Sequence, residues 1–210
     1  RNLEYKGKNV EVVPDVPLEV IRRIELAAEK ADADVTIIEI GGTIGEYQNI
    51  LFLEAARLMR SKYLGSVAIV MVSYLPAPSK IGEMKTKPTQ YAARTLNAAG
   101  LQADVIIARS EVPLDLKRKE KIATFCNIRP ENVISAPDVE NIYDVPVNFE
   151  KDRLGEILCQ TIGIGRGGQT GRRAGDVCAV PTDLADWKKF IYKLKHPRNK
   201  VKIAVVGKYF

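Results

Sequence analysis

The chain has 210 residues, enough for a domain with a core of ordinary size. Hydrophobic residues make up 46% and charged residues 28%, which excludes a disordered or fibrous chain, and no run reaches the ~20 apolar residues of a membrane helix. The net charge of +6 raises nucleic acid as a partner, but residues 163–210 hold 11 basic and 3 acidic side chains, so the first 162 residues are slightly acidic, at −2.

Strand-like and helix-like segments alternate along the chain. The apolar run at residues 10–13 predicts a short strand. A helix over 17–31 follows, where Val20, Ile21, Ile24, Ala27 and Ala28 recur at helical spacing. The β-branched run at 35–40 predicts a strand buried on both faces. Residues 49–60 predict a helix with Leu53, Ala56 and Leu58 inward, and 67–74 a buried strand. Pro88 suits the first position of a helix closed by Gly100. Strands are predicted at 105–108, 133–135 and 201–206, and helices at 115–125, 149–162 and 182–194. This alternation predicts an α/β fold, a parallel sheet with helices on both faces. In such sheets ligands meet the carboxyl ends of the strands, so chemistry is sought there.

The cysteines, Cys126, Cys159 and Cys178, are too few and too widely spaced for a disulfide framework. A reducing, cytoplasmic setting is expected. Cys126 and Cys159 read as core residues. The single histidine, His196, reads as a surface residue in a linker, and disfavours a multi-histidine metal site.

Four segments carry the candidate chemistry. Glu39, at the end of the 35–40 run and just before Gly41-Gly42, is placed for a hydrated magnesium ion and a phosphate, or simply caps a turn. Gly82-Glu-Met-Lys85-Thr-Lys-Pro-Thr-Gln90 brings two lysines, two threonines and a glutamine to a helix N-terminus. An anion is favoured there by backbone N–H groups and the helix dipole. A solvated loop is the plain alternative. The charge run at 116–121 reads as a solvated helix face, from which spacing selects no residue. Arg109, directly after a strand, is placed either for phosphate or for a surface ion pair. Gly163-Ile-Gly-Arg-Gly-Gly168 fits a dinucleotide fingerprint literally, but a helix rather than a strand precedes it, so it reads as a flexible basic loop over 163–175.

Glu39-Ile-Gly-Gly-Thr-Ile-Gly45 and Lys85-Thr-Lys-Pro-Thr-Gln90 together resemble the synthetase (amidoligase) domain of CTP synthase. Leu51-Phe-Leu-Glu-Ala55, Lys121-Ile-Ala-Thr-Phe-Cys-Asn127, Val133-Ile-Ser-Ala-Pro-Asp-Val139 and Lys202-Ile-Ala-Val-Val-Gly-Lys-Tyr209 resemble the same family in the same order. The resemblance is weakest across 147–180. It implies a partial P-loop NTPase-like amidoligase domain over 1–162. A basic Gly-rich loop, a helix and an interdomain linker are then expected over 163–200, and the first strand of a glutaminase domain over 201–210. The chain is accordingly expected to be a middle section of a longer protein, with a phosphate loop and a second magnesium carboxylate upstream and the glutaminase cysteine downstream.

The resemblance implies a C–N ligase of pyrimidine biosynthesis that makes CTP from UTP, ATP and glutamine-derived ammonia, the chain alone being inactive. It places UTP, and the product CTP, on Lys85, Thr86, Lys87, Pro88, Thr89, Gln90 and Lys121. The inhibitory CTP mode falls on Glu46, Tyr47 and Gln48, the adenine of ATP on Pro137, Asp138 and Val139, and Mg2+ on Glu39. A homotetramer, a glutaminase domain in the same parent, a cytoplasmic location and no nucleic-acid or membrane partner are expected, and no residue is assigned as catalytic. Two departures stand out. Gly45-Glu-Tyr-Gln-Asn49 replaces the family's Gly-Asp-Ile-Glu-Ser, one acid fewer, and Asp15-Val-Pro17 replaces His-Ile-Thr. A non-catalytic UTP- or CTP-binding module is the alternative reading.

Overall fold

The computed structural model describes residues 7, 9–78, 84–164, 183–199 and 201–208. In chain order come α1 (Val12–Lys30), α2 (Ile50–Lys62), β1 (Val70–Tyr74), α3 (Lys87–Ala98), β2 (Val105–Ser110), α4 (Leu116–Cys126), β3 (Val133–Pro137), α5 (Val145–Lys151), α6 (Leu154–Ile162) and α7 (Ala185–Lys195). Local signals explain several boundaries. Pro88 sits in the first turn of α3. Asp115 caps α4 by accepting from Arg118 N at 2.8 Å, and Asn127 ends that helix with a left-handed φ of 55°.

The three strands are parallel, in the order β1-β2-β3. Side chains alternate across them and build two cores. Ile106, Ala108, Met71 and Val133 join Leu53 of α2, Leu96 of α3 and Ile122 and Cys126 of α4. On the opposite face Val105 and Ile134 join Phe149 of α5 and Leu154 of α6. Helices therefore cover both faces of β2 and β3, as the strand–helix alternation predicts. Burial pushes the Cys126 thiol up to about 11, so it behaves as a small apolar core residue.

One side chain aligns the strand starts. The Asp104 carboxylate accepts from both Arg60 amino groups, at 2.8 and 2.9 Å, and from Ile69 N at 2.7 Å. Its own N–H donates to Ile69 O at 2.8 Å, and its carbonyl accepts from Asn132 Nδ2 at 2.7 Å. Asp104, directly before β2, thus ties together α2, the approach to β1 and the approach to β3.

Several expectations are corrected. Residues 35–40 form no strand, and Val35, Ile37 and Ile38 are 50%, 93% and 47% exposed. A strand needs a hydrogen-bonded neighbour. The only ladder of β1 among the described residues runs to β2, so this apolar run pairs with nothing and only Ile40 reaches the core. On the second face of the sheet Val70, Val72 and Tyr74 of β1 are likewise exposed.

Residues 10–13 form no strand either: 12 and 13 join the start of α1, with a backbone break at Val13. Residues 201–206 form no strand and join no sheet among the described residues, and Val206 is 95% exposed. The single helix expected over 149–162 is two. Arg153 turns left-handed at φ 56°, while Asp152 turns back to accept from Ser135 N at 2.6 Å and to pair with Lys119 at 2.7 Å. The loop at 163–175 lies outside the described residues from 165 onward. His196 ends α7, its ring stacked on Tyr192 at 4.3 Å.

Asp104→Ala is expected to destabilise the fold by about 2–4 kcal/mol, because it leaves a partly buried Arg60 and the Ile69 N–H without their acceptor. Urea unfolding measures it; a loss under about 0.5 kcal/mol contradicts the alignment role.

Candidate functional site

Parallel pairing sets the carboxyl ends of the three strands side by side, with Tyr74 opposite Arg109 and Ser110 opposite Pro137. The chain leaves β1 through Leu75, whose N–H donates to Arg109 O at 2.8 Å. It leaves β3 through Asp138, whose N–H donates to Ser110 O at 2.8 Å. Lys85 N–H then donates to Pro76 O at 2.8 Å, fixing the start of the 85–90 segment to the end of β1. The segments at 85–90 and 137–139 therefore both issue from one edge of the sheet. Gly82 and Glu83, part of the first motif, lie outside the described residues.

Within 85–90 the side chains divide. Thr89 is fully buried, and its hydroxyl shares a 2.8 Å hydrogen bond with the buried Ser73 Oγ of β1. Thr86 is buried too and accepts from Gln90 Nε2 at 3.2 Å. The Thr89 hydroxyl thus seats α3 on the sheet, while that of Thr86 is used within the helix start. Lys87 and Pro88 are exposed, and Lys85 and Gln90 half-buried. Lys87, Gln90, Tyr91 and Arg94, at helical spacing on one side of α3, line a surface cavity of about 120 Å3.

That side of α3 is cationic. The helix contains no carboxylate, and neither Lys87 nor Arg94 has an acidic partner among the described residues. Lys87 also stands in the first helical turn, where a cation opposes the helix dipole at a cost of roughly 0.3–1 kcal/mol. An anion at this cavity would relieve both. Tyr91 and Arg94 were not singled out from the sequence, although their spacing from Lys87 marks them as its neighbours on α3.

The loop after residue 40 leans on the same helix. Gly45 has φ +100° and lies so close to α3 that a Cβ there would meet Thr95 Cγ2 at 3.1 Å. Gly42, at φ +81°, leaves no room for a side chain beside Asn49 and Glu46. Glu46 accepts from Gln48 Nε2 at 2.6 Å, and Tyr47 is 92% exposed.

The remaining candidates are spread more widely. Glu39 is exposed and has no hydrogen-bond or ion-pair partner among the described residues. No group of three His, Cys, Asp or Glu side chains among the described residues could hold a metal ion. A single free carboxylate fits magnesium carried mainly on phosphate oxygens rather than a protein cage. Lys121 is exposed on α4. Arg109 pairs with Asp138 at 2.7 Å, the ion-pair alternative of the two weighed for it, so β2 and β3 are joined at their ends by charge as well as backbone. Pro137 ends β3, and Val139 borders a second, larger cavity of about 360 Å3.

Comparison with known proteins gives one family. The family described as CTP synthase N-terminus matches residues 1–164. CTP synthase of Symbiobacterium thermophilum is 39% identical over this whole chain, which covers 37% of that protein. CTP synthase of Pyrococcus abyssi is 40% identical over the whole chain and 36% of its own length, and that of Methanococcus maripaludis 37% identical over the whole chain and 37% of its own length. The chain thus spans a little over one third of the curated relatives it matches.

Thr89→Val is expected to lower stability by about 1–3 kcal/mol, because the buried Ser73 hydroxyl loses its partner, while Thr89→Ser costs less. Urea unfolding reads the loss. Unchanged stability with weakened nucleotide binding would instead make the hydroxyl a ligand contact.

Proposed function

This chain belongs to the CTP synthase family through its N-terminal region, and we propose that it supplies the UTP- and ATP-facing part of an enzyme that aminates UTP to CTP. ATP phosphorylates the uracil 4-oxygen, and ammonia then adds at that carbon and expels phosphate. The first step turns a poor leaving group into a good one. Such a transfer asks for positioning and charge neutralisation more than covalent help.

The observation that supports this reading most is the shared edge. Two segments carrying different chemistry, the cationic 85–90 and the neutral-to-acidic 137–139, follow the carboxyl ends of β1 and β3, which flank β2 in one sheet. In this reading UTP, and CTP as product, is held by Lys85, Thr86, Lys87, Pro88 and Gln90, with Lys121 approaching from α4. Thr89 contributes by seating the helix. Pro137, Asp138 and Val139 take the adenine, Glu39 gives magnesium one carboxylate, and Glu46, Tyr47 and Gln48 serve inhibition by CTP.

Because the chain spans only part of its relatives, turnover belongs to the whole enzyme. Ammonia from a glutaminase domain, a homotetramer and a cytoplasmic location complete the proposal. No helix among the described residues is long and apolar enough to cross a membrane.

Titrating UTP into the full chain is expected to give saturable binding that Lys85→Ala weakens about 10- to 100-fold, the loss of one charge-assisted contact. Binding indifferent to Lys85 contradicts the site. The alternative, a non-catalytic UTP- or CTP-binding module, shares that result but parts from it in a second assay. The whole enzyme with UTP, ATP, magnesium and ammonium is expected to form CTP; binding without any CTP formed favours the module.

A further inference from the structure

The charge run at 116–121 holds one side chain that does not belong on a solvated face. Lys119 falls in line with Ile122, Ala123 and Cys126, at the spacing of the buried side of α4, and its side chain is 16% exposed. Its Nζ pairs with the Asp152 carboxylate at 2.7 Å, and Asp152 is itself 20% exposed. Lys117, Glu120 and Lys121 are exposed, and Arg118 turns back to the capping Asp115. The fold thus selects from the run a residue that spacing alone does not.

Asp152 joins Lys119 to the sheet. Its Oδ2 faces Lys119 Nζ and also accepts from Ser135 N at 2.6 Å. Ser135 Oγ in turn accepts from Leu114 N at 2.9 Å. One residue of β3 therefore holds both the approach to α4 and, through Asp152, the end of its first turn. An ion pair with this little exposure adds little stability over an apolar pair of the same size, because desolvation offsets the attraction. What it adds is direction. The apolar contacts of Ile122, Ala123 and Cys126 tolerate small rotations of the helix, whereas a hydrogen-bonded charge pair weakens steeply off its line. Lys121 lies two residues on, about 200° round the helix from Lys119, so a rotation of α4 that slackens the pair swings Lys121 as well.

We infer that Lys119 and Asp152 are positioning residues for UTP: by pinning α4 to Ser135 they fix the direction in which Lys121 is presented. The inference rests on the assignment of Lys121 to UTP, and adds to it two residues that touch no substrate themselves. Pro137 follows Ser135 by two positions, so the same pin refers Lys121 to the strand whose end carries the 137–139 segment.

The test is a mutant cycle read by calorimetric titration of UTP into the full chain. Lys119→Met and Asp152→Asn are each expected to weaken UTP binding roughly 3- to 10-fold, while Lys119→Arg, which keeps the charge, stays near the unaltered affinity. In a Lys121→Ala background, already weakened, neither substitution is expected to cost anything further, since each acts through Lys121. Asp152→Asn still offers an oxygen to Ser135 N, so it decides the matter if Lys119→Met loses helix content by far-UV circular dichroism. Unchanged UTP affinity in both single variants overturns the inference. So does an equal loss with and without Lys121, which marks a direct contact or a general effect on the fold. UTP bound as tightly by Lys121→Ala as by the unaltered chain removes the assignment of Lys121 and the inference with it, while binding that still depends on Lys85 leaves the rest of the UTP site standing.

Discussion

Asp104 is the point on which the arrangement turns. Its carboxylate and its backbone reach Arg60 of α2, Ile69 ahead of β1 and Asn132 ahead of β3. A parallel sheet has no hairpins to set its register, so something else must fix where each strand begins. With the starts aligned and the strands of similar length, the ends align too. Tyr74, Arg109 and Pro137 then fall along one edge. The loops that follow are where polar chemistry can be displayed on a rigid support.

Two economies follow from that edge. Thr89 of the cationic segment is turned inward and holds α3 to β1 through Ser73, so the helix that carries Lys87 keeps a fixed position on the sheet. The close approach of Gly45 to α3 brings the loop carrying Glu46 and Tyr47 against the helix that bears Lys87 and Gln90. The concentration of positive charge toward the C-terminus also acquires a local use. Lys188 and Lys195 neutralise Glu150 and Asp144, so part of that charge docks α7 onto the body.

Much of this was legible in the sequence. The β-branched segments at β1, β2 and β3 and the helices between them announce a parallel sheet, and Pro88 and Asp115 mark helix starts where they are found. The run at 35–40 misled because composition reports a wish to be buried, while a strand also needs partners on its flanks. The break between α5 and α6 was invisible because it depends on Asp152 finding Ser135 and Lys119, both remote in sequence. The inward turn of Thr89 could have been read from its spacing to Ala93 and Leu96, which share the buried side of α3. Arg109 could not be decided, since only the fold puts Asp138 beside it. The family resemblance rests on short polar motifs, which survive where the packing signal is ambiguous.

The central claim is that one sheet edge presents two separate nucleotide sites. Backbone amide shift mapping of the isotope-labelled chain by NMR tests it most directly. With UTP, the account predicts shifts confined to residues 85–94, the neighbourhood of Lys121 and the loop at 42–49. With ATP it predicts a second set around 137–139 at the end of β3. UTP and ATP perturbing one and the same set of amides, or shifts away from both segments, would contradict it.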